Sequence, residues 1–463
     1  MPAATGSNRP LVLLTLLLFA TLFYLAKDHR APTKQASRTA KDAQRDALVI
    51  QAGTNAADRA AQRSFNRRVS SVKQQRIVAV GDVHGDLPAL MAILRNAGIS
   101  DLKGHWIAGS DILVQTGDIV DRGPDTIALY KFFQTLRGQA ESAGGAVISL
   151  LGNHEMMNEL GDWRYVTKED IASFHGERNR REAFLTGWIG QEFRSNYSIT
   201  ARVPFLPTDD DSSPFFARAP RLPATLHSAA HGRFIVDPEV DGPGVDSRSN
   251  PFRLAAASFV HGGITPEYLA SLSADAEPIS TMNRIGHDLL ASLLTVPGHA
   301  PLGLPRTAPP EQREFWSARG PMWNRDWALE DEEEICDRVE EACERLRVRH
   351  LIQGHTPQFE GILSRCDGKI LLIDTGISRA YGGAHSSLSI SYTLTPASAL
   401  SVQDALAHEL VSTADADPEA TLQAMGDSIW LEEEVVEALY TRGRETELIG
   451  RWQRVIEEPE RAP

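Results

Sequence analysis

Cysteine is scarce: the chain has three in 463 residues. So few cannot staple a chain of this length, which excludes a disulfide-rich secreted scaffold. Their spacing also excludes a zinc knuckle. Cys336 and Cys343 sit in an acidic, helix-patterned stretch, and Cys366 stands apart. Seven helical residues span roughly 10 Å, so Cys336 and Cys343 would not bond to each other. Three free thiols are expected. Basic charge is also in deficit. Lys and Arg number 47 against 61 Asp and Glu, a net charge of −14. That balance argues against nucleic acid as a partner. With 42% hydrophobic and 23% charged residues the chain is not globally disordered. No internal repeat is apparent.

Long apolar runs are absent but for one, Leu11–Ala26 (LVLLTLLLFATLFYLA), which carries no charge. It sits at the short end of the roughly 17–25 residues that span a bilayer. A cleavable signal peptide is the alternative, but Tyr24 and Ala26 make a poor cleavage pair before Lys27. The expectation is an N-terminal transmembrane signal-anchor at 11–26 after a short tail at 1–10, giving a single-pass membrane protein. The flank after the run is the more basic one. By the charge rule that places the body in the cytosol, although long downstream domains can be translocated. Between Lys27 and Lys73 eleven Lys/Arg face four Asp, a net of +7, so residues 27–75 read as a basic tether.

From Arg76 the texture changes. Apolar runs of strand length (Ile77–Val80, Ile112–Val114, Ala146–Leu151, Ala255–Val260, His350–Ile352, Ile370–Ile373) each end in a polar block. Helical patterns lie between the early ones: Leu87–Ala97, closed by Gly98, and Pro124–Leu136, closed by Gly138. This rhythm predicts an α/β sheet with ligands at the carboxyl ends of its strands. Residues 200–252 are rich in Pro, Asp and Ser and read as an insertion, and 296–312 as a second loop. A closing strand starts near Ser387. The stretch from 401 to 463 reads as an acidic helical tail, with Leu422, Met425 and Ile429 on one face, able to pack on the domain or dock a protein partner.

Five glycine-flanked blocks follow the strand runs: Gly81-Asp82-Val83-His84-Gly85-Asp86, Gly117-Asp118-Ile119-Val120-Asp121-Arg122-Gly123, Gly152-Asn153-His154-Glu155, His261-Gly262-Gly263 and Gly354-His355-Thr356. Their Asp, Asn and His donors, without thiolate, suit Mn, Fe or Zn. Asp82 and His84 lie two apart, so an extended strand end would present both to one ion. Asp118 is placed to bridge two ions. Asn153 offers an amide oxygen, and His261 and His355 offer imidazoles. Asp121 and His154 remain as a pair, because a carboxylate beside imidazole stabilises imidazolium and makes a general acid. Arg122 offers a fork for a phosphoryl group. Any one block is weak; a core has little use for five of them in succession.

The order GD-x-HG, GD-x-VDRG, GNHE, HGG, GHT resembles that of the calcineurin-like metallophosphoesterases, and DRG points to their phosphoprotein phosphatase branch. GDVHGD, GDIVDRGPDT, LLGNHEMMN, VHGG and QGHTP look most like the bacterial-type Shewanella-like protein phosphatases. The resemblance covers about residues 76–395 and implies a phosphoesterase domain at 76–400, a β-sandwich flanked by helices. It implies that Asp82, His84 and Asp118 bind a first divalent ion, and Asp118, Asn153, His261 and His355 a second. A bridging hydroxide would attack phosphorus in line. His154, oriented by Asp121, would protonate the leaving oxygen. Arg122, Arg325 and Asn153 would face the substrate. In place of the SAPNYCG loop of animal-type members this chain has Asp374–Gly383, from which Tyr381 would overhang the site. The implied function is hydrolysis of phosphate monoesters of phosphoproteins, on Ser/Thr or Tyr. A dinucleoside-polyphosphate hydrolase or phosphodiesterase on the same scaffold is the alternative, and a membrane-tethered binding protein without catalysis a lesser one.

Overall fold

Alternation along the strands decides which side of each faces what. The computed structural model describes residues 72–206, 252–272, 277–295, 303–426 and 428–457. The first sheet is built on β1 (Lys73–Val80), β2 (Ile112–Gln115), β3 (Ala146–Leu150) and the short β4 (Tyr197–Ser198), all parallel. The second comprises β5 (Thr200–Pro204), β6 (Ala256–Val260), β7 (His350–Gln353), β8 (Leu363–Arg365) and β9 (Ile370–Leu372), in the order β5-β6-β7-β9-β8. β10 (Ser386–Pro396) pairs antiparallel with β1, and β11 (Ile429–Tyr440) and β12 (Glu447–Glu457) extend the first sheet beyond it.

Ile77 and Ala79 of β1, Ile112 and Val114 of β2, and Ala146 and Ile148 of β3 point into a core shared with Ala257 and Phe259 of β6, Ile352 of β7 and Leu371 of β9. That core lies between the two sheets. The intervening residues Val78, Val80, Leu113 and Val147 face the other way, onto helices Leu87–Asn96 and Thr126–Ser142. Ala256 and Val260 of β6 likewise meet helix Glu332–Leu346 through Ile335, Val339 and Ala342. A strand apolar on both sides is what a sheet covered on both faces requires. The result is an α/β sandwich, two sheets flanked by helices, with the six anticipated strand runs in place.

Several expectations need correction. Among the described residues no helix is long and apolar enough to cross a membrane, and the apolar run 11–26 lies outside them. The described fold holds no transmembrane helix, and the signal-anchor, membrane attachment and single-pass topology are withdrawn. The acidic tail is not one helical unit. Helices Val402–Ala407 and Pro418–Met425 lead into β11 and β12, so the sheet runs on to Glu457 and no boundary falls at 400. The face expected for Leu422, Met425 and Ile429 breaks at Gly426, and Ile429 starts a strand. The tail partner loses its basis with it. Gly138 does not stop its helix, which continues to Ser142. Residues 200–204 of the expected insertion are strand β5, whereas 207–251 lie outside the described residues. Cys336 and Cys366 form a disulfide between helix Glu332–Leu346 and the β8–β9 turn, leaving Cys343 as the free thiol.

Candidate active site

The blocks that end β1, β2, β3, β6 and β7 converge. Asp82, His84, Asp118, Asp121, Asn153, His154, His261 and His355 are all buried. The local backbone is unusual for such residues: φ is 45° at His84, 55° at Asp118, 71° at Asp121, 61° at Arg122 and 68° at His355. Left-handed conformations in non-glycine residues carry strain that the surrounding fold must hold in place. Asp82 and His84 are thus brought together by a turn, not by the extended strand end the spacing suggested. Two glycines are required for a different reason. A β-carbon on Gly152 would overlap the Asp118 carboxylate, and one on Gly354 would overlap that of Asp82.

Asp118 is the centre of the arrangement. Its Oδ2 lies 3.6 Å from His84 Nε2, 3.7 Å from His154 Nε2 and 3.4 Å from His261 Nε2. Donor atoms of His84, Asp118 and His154 form one group within 4.8 Å of one another, and those of Asp118, His261 and His355 a second. Asn153 Oδ1 is 2.7 Å from His261 Nε2, and the His355 backbone N–H donates to both Asp82 oxygens at 3.1 and 3.3 Å. His84 and His261 turn Nδ1 toward the backbone carbonyls of Val120 and Thr116, each at 3.0 Å. Their Nε2 atoms are thereby aimed at Asp118, the outer-sphere pattern of metal-binding histidines.

The donor set fits two cations. Burial, Asp374 and Asp118 hold the Asp82 carboxyl well above its ordinary range, and Asp374 is pushed to about 6, chiefly by burial. Burial opposes ionisation of Asp118, but His154, His261 and His84 outweigh it and hold its carboxyl low. Burial and the neighbouring His154 depress His84 to about 4. Burial, His261 and Arg325 keep His355 neutral. Neutral imidazoles beside crowded carboxylates are what metal coordination needs. Two metal sites with Asp118 common to both follow from this geometry.

His154 Nδ1 meets Asp121 Oδ2 at 2.8 Å. Burial would depress this imidazole, but the Asp118 and Asp121 carboxylates raise it above its ordinary value. Asp121 Oδ1 accepts from Asn158 Nδ2 at 3.0 Å and lies 3.5 Å from Arg180 Nη2. Arg180, fully buried, also bonds Asp170 at 2.7 Å and packs on Trp163, Phe174 and Phe184. The Arg122 guanidinium lies between two rings, 4.4 Å from Tyr165 and 4.8 Å from Tyr381, and its Nε has no hydrogen-bond partner. Arg325 donates to the His355 carbonyl at 2.7 Å and Thr356 Oγ1 at 3.0 Å.

All eleven anticipated site residues therefore fall in one region. Sequence reasoning missed its supports. Glu155 accepts from the backbone N–H groups of Asp118, Ile119, Val120 and Gly152 at 2.7–3.2 Å, and from Tyr130 at 3.0 Å. Its place three residues into a helix after Gly152 was the available signal, the glutamate half of a capping box, in which the side chain turns back to the N-cap backbone N–H. Asn158, Tyr165, Asp170, Arg180 and Asp374 left no local signature.

Similarity to known proteins points to one family. The sequence profile of the calcineurin-like phosphoesterases matches residues 75–359. An uncharacterized protein of Schizosaccharomyces pombe is 37% identical over 321 residues, 68% of this chain and 77% of that protein. Shewanella-like protein phosphatase 2 of Arabidopsis thaliana is 29% identical over 315 residues, 66% of this chain and 72% of that one. Among solved structures, a cold-active protein-tyrosine phosphatase of a psychrophilic Shewanella species superposes with a TM-score of 0.48 at 24% identity, covering 69% of this chain and 77% of that chain.

Proposed function

The chain belongs to the calcineurin-like phosphoesterases and is related to the Shewanella-like protein phosphatases, and from that premise we propose that it hydrolyses phosphate monoesters of phosphoproteins. The coarser activity, that of a binuclear metal-dependent hydrolase, comes with the family and the two donor groups. The observation that carries the finer reading is the pair of arginines at the centre. Arg122 is held between two tyrosines with an unpartnered Nε, and Arg325 stands beside His355. Two guanidinium groups suit the dianion of a terminal phosphate better than the single charge of a diester.

Two divalent ions, of Mn, Fe or Zn, would be held by Asp82, His84 and Asp118 and by Asp118, Asn153, His261 and His355. When bound, they supply an activated water and neutralise charge on the phosphoryl oxygens. Arg122 and Arg325 orient the phosphoryl group. His154 holds a proton at Nε2 for the leaving oxygen, and Asp121 fixes the ring through Nδ1.

Hydrolysis of dinucleoside polyphosphates is the second reading. A symmetrical bis(5′-nucleosyl)-tetraphosphatase of Pectobacterium carotovorum is 38% identical over 77 residues, 17% of this chain and 22% of that one. The test is turnover of a phosphotyrosine peptide, a phosphothreonine peptide and a dinucleoside tetraphosphate by Mn²⁺-loaded protein beside Asp118→Asn. Peptide turnover lost in the variant supports the proposal and reveals the residue preference. Turnover of the dinucleotide alone replaces it with the second reading.

A further inference from the structure

The loop Asp374–Gly383 carries Tyr381 over Arg122. Its first half is built into the protein: residues 374–378 are buried, Ile377 belongs to the core, and the Asp374 carbonyl accepts from the Gln358 N–H at 2.7 Å. Its outer half, 379–383, is more exposed and little of its own backbone holds it in place. Within the loop, Tyr381 and Gly382 donate to the Ser378 carbonyl at 2.9 and 2.8 Å, and Gly383 to that of Gly376 at 2.9 Å. These bonds shape the turn without attaching it to the rest of the protein. Attachment of this outer half to the elements around it comes largely from one side chain. Arg379 Nε donates to Asp86 Oδ2 at 3.0 Å, and its Nη2 to Asp86 Oδ1 at 3.1 Å and Asp125 Oδ2 at 3.2 Å. The Arg379 backbone N–H adds a bond to Asp86 Oδ2 at 2.9 Å. Ser378 Oγ supplies a lesser tie, to the His84 carbonyl at 3.1 Å.

The two carboxylates are rigid anchors. Asp86 is the N-cap of helix Leu87–Asn96 and accepts from Ala89 N at 3.1 Å. Asp125 precedes helix Thr126–Ser142 and accepts from Leu87 N at 3.2 Å. Asp86 has 6% of its side-chain surface exposed and Arg379 58%, so the fork closes over a fixed acceptor from the solvent side. A planar guanidinium gripping one carboxylate through two nitrogens fixes direction as well as distance. Two residues further on, the Tyr381 ring lies 4.8 Å from the Arg122 guanidinium and 5.5 Å from the His84 ring, with Phe359 at 6.1 Å behind it.

We propose that Arg379 is a positioning residue: it latches the outer half of the loop, 379–383, to Asp86 and Asp125 and so holds the Tyr381 ring against Arg122, fixing how that guanidinium is presented to the phosphoryl group. The proposal rests on the phosphatase reading only in its last clause. The latch itself is a statement about the loop. Arg379 acts through Tyr381, and its removal weakens substrate binding more than the chemical step.

Two measurements on the full-length, Mn²⁺-loaded protein test it. The first is amide hydrogen exchange. Arg379→Gln is expected to accelerate exchange in 379–383 by about tenfold while β1 and helix Leu87–Asn96 stay protected, as local opening predicts. The second is steady-state kinetics with p-nitrophenyl phosphate. Arg379→Gln should raise KM about five- to twentyfold, the scale of losing one or two charge-assisted hydrogen bonds, with kcat changed less than about twofold. Arg379→Lys, which keeps the charge without the fork, should fall between. In a Tyr381→Ala background, Arg379→Gln should add less than about a twofold change in KM, because the pair is coupled. Unaltered exchange in 379–383 overturns the latch. Faster exchange with a KM effect that persists undiminished in Tyr381→Ala overturns the route through Tyr381 and makes Arg379 a direct substrate contact. If wild type turns over no phosphate ester, the phosphatase reading fails, and the exchange result still decides the latch.

Discussion

The sandwich buries two sets of carboxylates and treats them in opposite ways. At the strand ends, Asp82, Asp118 and Asp374 crowd together among histidines, and two of the three are pushed toward the protonated form. On β11, Glu432 and Glu434 are as deeply buried, but cations meet them. Arg349 bonds Glu434 at 2.7 Å and Glu432 at 2.6 Å, His350 pairs with Glu434, and Arg454 and Tyr392 bond Glu432. Burial opposes ionisation of Glu434, and His350 and Arg349 overcome it and hold its carboxyl below the ordinary range. The second set is complete within the chain. The first is completed only by ions from outside. The comparison separates a structural charge network from a metal centre without reference to any relative.

The sharpest break in that contrast is Asp118→Asn, which removes the carboxylate common to both donor groups. Turnover should fall by at least about 10³-fold, and metal analysis should show loss of bound Mn²⁺. Asp121→Asn comes next. Turnover should fall about 10²–10³-fold with the metal retained, as the acid loses its orienting partner. A proton donor fails as pH rises through its pKa. Asp121 helps hold His154 above its ordinary value, so the alkaline limb of the rate profile should move to lower pH in the variant.

At the other set, Glu434→Ala strands Arg349 and His350 and should cost about 3–5 kcal/mol in denaturant unfolding. Turnover per folded molecule should stay within about twofold, because the sites are far apart in their contacts. The sign of its pH dependence is fixed. The folded-state pKa of Glu434 lies below the unfolded one, so its contribution is present above the unfolded pKa and is lost as pH falls through the folded value.

The smallest effect belongs to neither set. Glu159 lies 3.2 Å from Arg194, but burial outweighs that partner and pushes its carboxyl to about 8, and its Oε2 has no hydrogen-bond partner. A carboxyl raised in the folded state lowers stability as pH climbs from the unfolded value toward about 8. Glu159→Gln should therefore be neutral near pH 4 and more stable than wild type by roughly 1–2 kcal/mol at pH 8.5. Thermal unfolding at the two pH values reads this directly.

The same contrast explains what could be read from the sequence. The metal blocks were legible because each sits where a short apolar run stops, and because carboxylate, amide and imidazole beside glycine have few structural uses. The β11–β12 hairpin was not legible. Glu432, Glu433 and Glu434 read as part of a solvated acidic helix, yet the alternation that matters (Val436, Ala438 and Tyr440 in phase with the buried Glu432 and Glu434) is hidden by the charge of the buried acids. Their partners Arg349, His350 and Tyr392 lie roughly 40 to 85 residues away, beyond the reach of any local pattern. Arg180, some sixty residues from the Asp121 it supports, escaped for the same reason. The Cys336–Cys366 bond joins a helix to a distant turn, so it too followed from tertiary contact and not from spacing.

Gly152 and Gly354 carry no chemistry, yet each leaves room for a carboxylate at the place where a β-carbon would stand. In a survey of tolerated substitutions, these two positions should be as intolerant as the ligands beside them, and even alanine should be refused. The loss would be read as missing metal in an otherwise folded protein. Vacant volume at two points on the backbone is thus as much a part of the centre as its imidazoles.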